Sequence, residues 1–281
     1  MYQLRIRNEY GDEIELTNNE AYVITDITGL EPVVATINET KNASSDGTVF
    51  NSASLAHRQM IITMAINTPC EPNRIRLFRY LNTKRPVRVF FKNETRDVYT
   101  DGYIQQMPIT YFDKKQIVQV TIICPNPYFN TEDDATTDFS TVVPNFEFPM
   151  NIETPIPFST IEFESESVIT NVGDVEDGAI FELMASGAVS NPKIYDLTTN
   201  EYFSLTIDMV ASDKIIINTR DKEKSVKLVR AGVTNNIIGR VDAGVSWLKL
   251  RPGDNQIAID ADSGAISLRC AVTVVNMFGG V

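Results

Sequence analysis

Residues 170–187, TNVGDVEDGAIFELMASG, combine an acidic turn with a run in which apolar and polar residues alternate. The turn has the composition of a cation-binding loop, because carboxylates crowd its glycines. An EF-hand loop needs Gly at position six and a bidentate Glu at position twelve. Counted from Asp174, Gly178 stands at position five and Glu182 at position nine. The stretch therefore favours a turn that joins two strands, with weak calcium binding as the lesser alternative.

The same alternation continues on both sides of this stretch. Downstream, NPKIYDL (191–197), DKIIINT (213–219) and SVKLVRA (225–231) are separated by polar turns at about the spacing of a β-sandwich or jelly roll. Upstream, VRVFFKNETRDVYTDGYIQQMPITYFDKKQIVQVTII (87–123) predicts three strands joined by tight turns. We therefore predict a mainly β chain.

One segment has helical character, residues 71–82, EPNRIRLFRYLN. Ile75, Phe78 and Leu81 recur at three-residue steps and predict one buried stripe. Pro86 prevents the helix from continuing. The sequence thus predicts one helix within the β-rich first half.

Residues 38–54, NETKNASSDGTVFNSAS, are polar and long for a connection inside a compact domain. Loops of this kind are usually functional or disordered. We expect the segment to be an extended loop that is mobile in a free chain and becomes ordered against a partner.

The net charge of −12 is unevenly placed along the 281 residues. Residues 1–130 balance 14 basic with 14 acidic residues, whereas residues 131–173 hold nine acidic residues, four prolines and no Lys or Arg. Such a composition favours an extended, solvated connector. We predict a β-rich domain over 1–130, an acidic connector over 131–155 and an all-β sandwich over 156–281. Acidity overall argues against nucleic-acid binding as the main task.

The cysteines and the apolar runs indicate the cellular compartment in which the protein is made. Cys70, Cys124 and Cys270 lie far apart with no paired spacing, which indicates reduced core thiols in a protein made in the cytoplasm. The amino terminus alternates and does not predict a secretory signal. The most apolar window, MIITMAI (60–66), is too short to cross a bilayer, so we expect no membrane insertion.

Few residues offer catalytic or metal chemistry. His57 is the only histidine, so a Ser–His–Asp triad would depend on it alone, and the scattered cysteines supply no metal ligand set. Carboxylate pairs in GDVEDG (173–178) and DADSG (260–264) would suit a glycoside hydrolase, but they lie in turn-forming sequence. We expect a protein that is not an enzyme, with no catalytic residue, cofactor or metal. Glycoside hydrolysis stays as the third alternative.

Trp247, the only tryptophan, lies in SWLKLRPG (246–253), on the strand face opposite Leu248 and Leu250. Beside Lys249 and Arg251 it can stack on a sugar ring, or it can pack under a neighbouring loop with the cationic stems covering it. We favour packing. Trp247 stays as a candidate for sugar stacking, and a carbohydrate-binding module that recognises host cell-wall sugars is the alternative function.

The predicted helix and the residues that follow it are basic. Eight of the 14 basic residues in the first half fall within 74–96: Arg74, Arg76, Arg79, Lys84, Arg85, Arg88, Lys92 and Arg96. Nucleic acid is one interpretation, but the interleaved aromatics of single-strand binders are missing. A solvated face and a contact between subunits of a ring are the two interpretations that we weigh equally.

Several segments together resemble one protein family. NVGDVEDGAIFELMASG (171–187), NPKIYDLTTNEYFSL (191–205) and SWLKLRPGDNQIAID (246–260) are similar to the carboxy-terminal half of the distal tail proteins of tailed bacteriophages. In the first half, AYVITDITGLEPVVATINET (21–40) and CPNPYF (124–129) match the habits of the same family. The resemblance spans essentially the whole chain in the right order.

The resemblance implies a fold and a structural role. It implies an amino-terminal β-sandwich related to tail-tube subunits, with one helix and an extended loop, and a galectin-like carboxy-terminal sandwich. Six copies would form a ring between the tail-tube protein and the tail hub, with a channel for DNA and the tape-measure protein. The protein would then belong to the distal tip of the virion tail, after assembly in the host cytoplasm. Residues 170–187 would form the first β-hairpin of the second sandwich, with Gly173 and Gly178 supplying turn conformations.

The ring contacts implied by this resemblance involve the polar loop and the basic helix. The candidate interface residues are Asn42, Ser45 and Asp46 in the loop, and Arg74, Arg76, Arg79 and Arg85 in and after the helix. We expect the loop to reach the adjacent copy and the cations to meet its carboxylates. The sugar-binding module that some family members insert in the second domain is not visible in this sequence.

Overall fold

The structure is a computed structural model that describes residues 2–42, 46–112, 115–132, 135–139, 141–144, 159–162 and 165–281. Strands dominate these residues, so the prediction of a mainly β chain is confirmed. None of the helices in the described ranges is long and apolar enough to span a membrane. The chain divides into two compact units, residues 1–132 with 277–281 and residues 133–276.

The first unit is built on one large antiparallel sheet. Its elements are β1 (Gln3–Asn8), β2 (Glu13–Glu15), β3 (Tyr22–Thr28), β4 (Ala35–Lys41), β5 (Thr48–Leu55), β6 (Arg58–Ile66), α1 (Cys70–Tyr80), β7 (Pro86–Lys92), β8 (Asp97–Gln106), β9 (Gln116–Cys124) and β10 (Phe129–Thr131). The sheet runs in the order β2-β1-β7-β8-β9-β6-β3, and β10 pairs with β8. Alternate side chains of the strands of this sheet point into one core, which includes Met60, Ile62 and Met64 of β6.

Helix α1 lies where the sequence predicts it, but it buries a different stripe. Leu77 and Leu81 are fully buried, while Ile75 is 50% exposed and Phe78 is only partly buried. A four-residue step turns a helix by 40° beyond one full turn, whereas a three-residue step falls 60° short. Leu77 and Leu81 therefore share a face more closely than residues at three-residue steps do, and the predicted stripe through Ile75 is wrong.

The second unit contains two larger sheets. Its elements are β11 (Ala135–Asp138), β12 (Thr141–Pro144), β13 (Ser159–Glu162), β14 (Glu166–Asn171), β15 (Asp177–Gly178), β16 (Ile180–Ala185), β17 (Val189–Asp196), β18 (Glu201–Ser204), β19 (Asp208–Met209), β20 (Lys214–Asn218), β21 (Ser225–Arg230), β22 (Val233–Asn236), β23 (Lys249–Leu250), β24 (Gly253–Ser263) and β25 (Leu268–Val274), with short 3-10 helices at Ile238–Arg240 and Ala265–Ser267. After them, β26 (Met277–Phe278) pairs with β10 in the first unit.

One core joins the two sheets of the second unit. The six-stranded sheet runs β11-β25-β16-β20-β21-β22, and the other runs β14-β24-β17-β18 with β19 beside β17. Phe181 and Ile217 from the first sheet are fully buried in the same cluster as Ile194 and Ile257 from the second. This is the expected arrangement of a β-sandwich, with the inner faces of both sheets contributing alternate residues.

The stretch 170–187 does not form the expected hairpin. β14 pairs with β24, whereas β15 pairs with β23, so the two strands on either side of the acidic turn are not partners. A Cβ on Gly178 would lie 2.3 Å from the backbone carbon of Thr219. Gly178 is therefore needed for a close approach of two backbones, and its expected role in the turn is wrong. Asn171 organises the turn, since its side chain accepts from Gly173 N and donates to Val175 O.

The domain limits also differ from those expected for the connector and for the second domain. Residues 135–138 of the expected connector form β11 and pair with β25, so they already belong to the second unit. Residues 277–281 return to the first unit instead of completing the second. Of the acidic connector expected over 131–155, residues 133–134, 140 and 145–155 lie outside the described residues.

Candidate assembly interface

The polar segment predicted as an extended loop is a two-stranded hairpin. β4 and β5 pair with each other in an antiparallel register from Ala35 opposite Leu55 to Lys41 opposite Thr48. Within the described ranges neither strand pairs with another strand. Every residue of both strands is exposed. An isolated two-stranded ribbon is at best marginally stable in water, so a surface that covers this hairpin would stabilise it.

The hairpin has one apolar face. Side chains of directly opposed residues in an antiparallel pair share a face. Ala35 and Leu55 are opposed, Ile37 and Ala53 are opposed two residues on, and Phe50 lies on the same face opposite Glu39 beyond a bulge. Ile37 is 52% exposed, Phe50 64% and Leu55 39%. These side chains form a contiguous apolar strip that we call the hairpin apolar face, defined by Ala35, Ile37, Phe50, Ala53 and Leu55.

The opposite face of the hairpin is hydrogen-bonded to itself. Asn38 donates to Ser52 Oγ at 3.0 Å, and Asn51 Nδ2 donates to Thr40 Oγ1 at 2.7 Å. Val49 is the exception, because it lies opposite Thr40 and exposes an apolar side chain. This polar face can remain in water. The hairpin apolar face is the one whose exposed apolar area favours contact with another surface.

Two of the three predicted loop residues, Asn42 and Asp46, lie near the tip of the hairpin. Asn42 and Asp46 are exposed on either side of the turn, and Ser45 lies outside the described residues. Near the tip, Thr48 Oγ1 donates to Glu39 Oε2 at 2.8 Å. The tip is therefore polar, while the apolar residues lie nearer the base.

The cations of α1 fall into two groups. Arg74 is partly buried and contacts its own unit, donating to Gln116 Oε1 at 3.3 Å and lying over the ring of Tyr111 at 5.1 Å. Arg76 and Arg79 are exposed and line a cavity of about 240 Å³ with Asp12 and Tyr80. The described residues give neither of these two guanidiniums a carboxylate within salt-bridge distance.

The remaining cations of the basic run are mostly paired within the first unit. Arg85 lies 3.4 Å from Glu9, and Lys92 lies 2.6 Å from Asp97. Arg88 donates to both oxygens of Asp101, at 2.7 and 2.9 Å. Such surface pairs contribute little, so Arg74 and Arg85 stay predictions as interface residues. Arg76 and Arg79 are the two candidates that the described residues leave without a carboxylate partner.

Trp247 packs against the core of the second unit. Its ring meets Phe203 edge-on at 5.3 Å between centroids, and Lys224 Nζ lies 5.4 Å from its centroid. The indole also lines a polar cavity of about 320 Å³ with Glu176 and Glu201. Packing was the favoured expectation, and sugar stacking stays a prediction.

The carboxylates considered for catalysis or calcium have structural partners. Asp177 is buried and lies 3.4 Å from Arg220 Nε. Lys193 donates to Asp262 at 2.5 Å, which lowers the pKa of that carboxyl. Among the described residues, no group of three or more His, Cys, Asp or Glu side chains is placed to hold a metal ion. His57 is exposed between β5 and β6.

Sequence reasoning missed the apolar residues of the hairpin. The runs ATINETK (35–41) and TVFNSASL (48–55) each alternate in part, and the turn SDG lies between them. Alternation around an Asp-Gly turn is the signal for a hairpin. The abundance of Asn, Ser and Thr obscured it, because most of these residues lie on the face opposite the hairpin apolar face.

Comparison with known proteins bears on both units. A family model described as the siphovirus-type tail component, C-terminal domain, matches residues 172–271. The crystal structure of phage SPP1 Dit (gp 19.1), described as a paradigm of hub adsorption apparatus in phages that infect Gram-positive bacteria, matches 98% of this chain and 99% of its own, with 13% identity and a TM-score of 0.68. Baseplate structures of phage p2 in its activated conformation, with Ca and with Sr, match at 13% identity.

The two p2 matches cover 97% and 98% of this chain, each with 98% of the other chain, at TM-scores of 0.48 and 0.49. No curated protein matches the chain. The fold of SPP1 Dit extends over both units, while the family model covers most of the second. The resemblance to the distal tail proteins is thereby confirmed: residues 172–271 match the model of the siphovirus-type tail component, C-terminal domain, and the chain has the fold of SPP1 Dit.

Proposed function

We propose that this chain is a structural component of a phage tail tip. Six copies form a ring that joins the distal end of the tail tube to the tail hub and adsorption apparatus, around a channel through which DNA passes. The family match over residues 172–271 and the fold shared with SPP1 Dit, a hub component, support this role. The role is architectural and not enzymatic.

The hairpin apolar face carries the proposal. A closed ring with a hole requires head-to-tail contacts, in which one patch of each copy meets a different patch of the next. A protruding ribbon with one solvent-exposed apolar face is suited to such a contact. Covering Ile37, Phe50 and Leu55 contributes about 3 to 5 kcal/mol per interface from apolar burial. The ring therefore gains most from the base and middle of the hairpin, and its polar tip contributes through Asn42, Ser45 and Asp46.

Arg76 and Arg79 supply the electrostatic part of the same contact. Both are exposed, and the chain carries a net charge of −12, so a neighbouring copy offers many carboxylates. Charges at the rim of an interface mainly set orientation and the rate of association. In this proposal they align the copies before the hairpin apolar face is covered.

The partners follow from the position of the ring. Its two sides contact the tail-tube protein and the tail hub protein, and the tape-measure protein and DNA pass through its channel. The protein resides at the distal tip of the virion tail after assembly in the host cytoplasm. Contact with DNA is transient, in keeping with the acidic chain.

The proposal is tested by a charge-neutral change on the hairpin. The double variant Ile37→Ser/Phe50→Ser removes apolar area from the hairpin apolar face, and Thr36→Ser/Ser54→Ala alters an opposed pair on the other face as a matched control. Light scattering behind size exclusion and negative-stain imaging, with and without the hub protein, measure the oligomer. We expect rings of six copies for the native chain and the control, and monomers for the double variant.

Two results would contradict the proposal. A native chain that stays monomeric with the hub protein present would contradict ring formation. A double variant that forms rings as well as the control would show that the hairpin is not part of the interface. Circular dichroism of each variant checks that both units remain folded. We expect them to remain folded, because the substituted side chains already face solvent.

A further inference from the structure

The base of the hairpin is fixed by a buried arginine. Arg58 is the first residue of β6, three positions after β5 ends, and it is 1% exposed. Its guanidinium lies over the ring of Phe129, 4.2 Å from the centroid. Burial lowers the pKa of Arg58, because desolvation disfavours the charged form. A cation in such a place is costly unless its donors are satisfied.

Backbone carbonyls satisfy the Arg58 guanidinium. Nη1 donates to Gly29 O at 2.5 Å and to Glu31 O at 2.8 Å, Nε donates to Pro127 O at 2.9 Å, and Nη2 donates to Gly279 O at 2.6 Å. These acceptors come from separate parts of the chain. Gly29 and Glu31 lead into β4, and Gly279 belongs to the C-terminal segment, residues 277–281. Arg58 therefore ties both ends of the hairpin to that segment.

The C-terminal segment contacts the same place independently of Arg58. Val281 N donates to Leu30 O at 3.1 Å. A Cβ on Gly280 would lie 2.8 Å from Pro32 Cδ and 3.1 Å from Leu30 O, so the segment packs tightly on the entry to β4. The close approach of Gly280 requires the absence of a side chain.

The other side of the segment is held by the main sheet. β26 pairs with β10, so that Phe129 is opposite Phe278. Arg96 lies over the ring of Phe278 at 4.4 Å and donates to Gly280 O. The segment is thus fixed on the main sheet by one edge and holds the hairpin base by the other.

We propose that the C-terminal segment is a clamp, closed by Arg58, that fixes the base of the hairpin to the main sheet of the first unit. Arg58 is a positioning residue: it orients the hairpin without belonging to the hairpin apolar face. In assembly, a ribbon fixed at its base presents that face in one direction, which lowers the entropy lost when a neighbour covers it. That consequence rests on the proposed function, whereas the clamp itself does not.

Hydrogen exchange of the full-length chain, diluted until monomeric, tests the clamp. Gly280→Leu displaces the segment from Leu30 and Pro32 without changing Arg58. Arg58→Lys retains the charge and loses the planar fork. We expect backbone amides in residues 29–37 and 53–58 to exchange about tenfold faster or more in both variants. Arg58→Lys loses hydrogen bonds to a charged group, and Gly280→Leu loses the packing of the segment on the entry to β4. Amides of β1 and β7 serve as the internal reference and keep their protection.

Arg88→Lys is the matched control, because it weakens an arginine fork that lies on the surface of the same unit. We expect it to leave exchange at the hairpin base unchanged. The clamp is wrong if Gly280→Leu leaves residues 29–37 as protected as in the native chain. It is also wrong if exchange rises equally in β1 and β7, because the segment would then support the whole unit. If Arg58→Lys does not fold, Gly280→Leu decides alone.

The same variants separate the clamp from the ring. Faster exchange at the hairpin base with loss of rings supports both the clamp and its role in assembly. Unchanged exchange with intact rings overturns the clamp and leaves the proposed function standing. Native rings that fail to form while the exchange pattern is as expected would overturn the proposed function and leave the clamp.

Discussion

At the scale of single residues, Asp213 shows how one carboxylate holds a turn of the second unit. Its side chain is almost fully buried and accepts from Arg230 Nε at 3.0 Å and Nη2 at 2.6 Å. Val210 N donates to the same carboxylate at 2.8 Å. The hydrogen bonds from Arg230 lower the pKa of the Asp213 carboxyl below its ordinary value. Asp213 thus stabilises the folded chain only while it is ionised.

In the variant Asp213→Asn, the free energy of unfolding is expected to fall less as the pH is lowered than it does in the native chain. A depressed pKa contributes stability that is present above the unfolded value of about 3.9 and is lost as pH falls through the folded value. The variant lacks this contribution at every pH, so it is less stable than the native chain at pH 7 and approaches it in strong acid. Urea unfolding followed by circular dichroism between about pH 7 and pH 2 measures the difference.

Asp26→Asn is the control for this prediction, because Asp26 is exposed on the edge strand β3. It removes one exposed carboxylate and so controls for the general effect of losing a negative charge. A constant difference in unfolding free energy between Asp213→Asn and the native chain down to the lowest pH would show that the ion pair does not depend on this titration.

At the scale of elements, the hairpin and the helix show what the sequence reveals and what it does not. The strands of 87–123 and the position of α1 follow from alternation and from Pro86, so both are predictable. The residues that α1 buries depend on which turn packs on the sheet, and local spacing does not encode that choice. The sequence predicts a loop where the structure has this hairpin, because the polar residues of the segment outnumber its apolar residues.

The outward face of α1 carries the electrostatic prediction. Arg76→Glu/Arg79→Glu reverses two exposed cations for which the described residues offer no paired carboxylate. If they meet carboxylates of the next copy, the variant assembles more slowly and forms weaker rings at low salt, because like charges then face each other. Added salt screens this repulsion and is expected to narrow the difference from the native chain. Light scattering across a sodium chloride titration measures both effects.

Lys222→Glu/Lys227→Glu makes the same change in net charge at exposed positions of the second unit. It is expected to assemble like the native chain, apart from a general effect of added negative charge. Equal behaviour of the two double variants would show that Arg76 and Arg79 face solvent in the ring.

At the scale of the whole molecule, the second unit is inserted into the first. Residues 133–276 leave the first unit after β10 and return at β26, and these two strands are paired through Asn130 opposite Met277. The two points of insertion are therefore adjacent, which is the arrangement in which domain insertions are tolerated. Local sequence patterns do not predict that the chain returns to the first unit. The hydrogen bond between Arg58 and Gly279 that marks this return joins residues 221 positions apart.

A chain in which residues 1–132 are joined through a short Gly–Ser linker to residues 277–281 is therefore expected to fold. Residues 1–132 alone lack β26 and the acceptor that Gly279 gives Arg58, so they are expected to be less stable by about 2 kcal/mol or more. Urea denaturation of the two chains measures the difference. Equal stability would show that the C-terminal segment adds nothing to the first unit.

The packing of Trp247 on Phe203 has a spectroscopic consequence. Because the chain has one tryptophan, and that residue lies in the second unit, indole fluorescence reports on that unit alone. The first unit is silent at wavelengths that excite only indole. The melting of the inserted sandwich can therefore be followed separately, within the full-length chain, without any label.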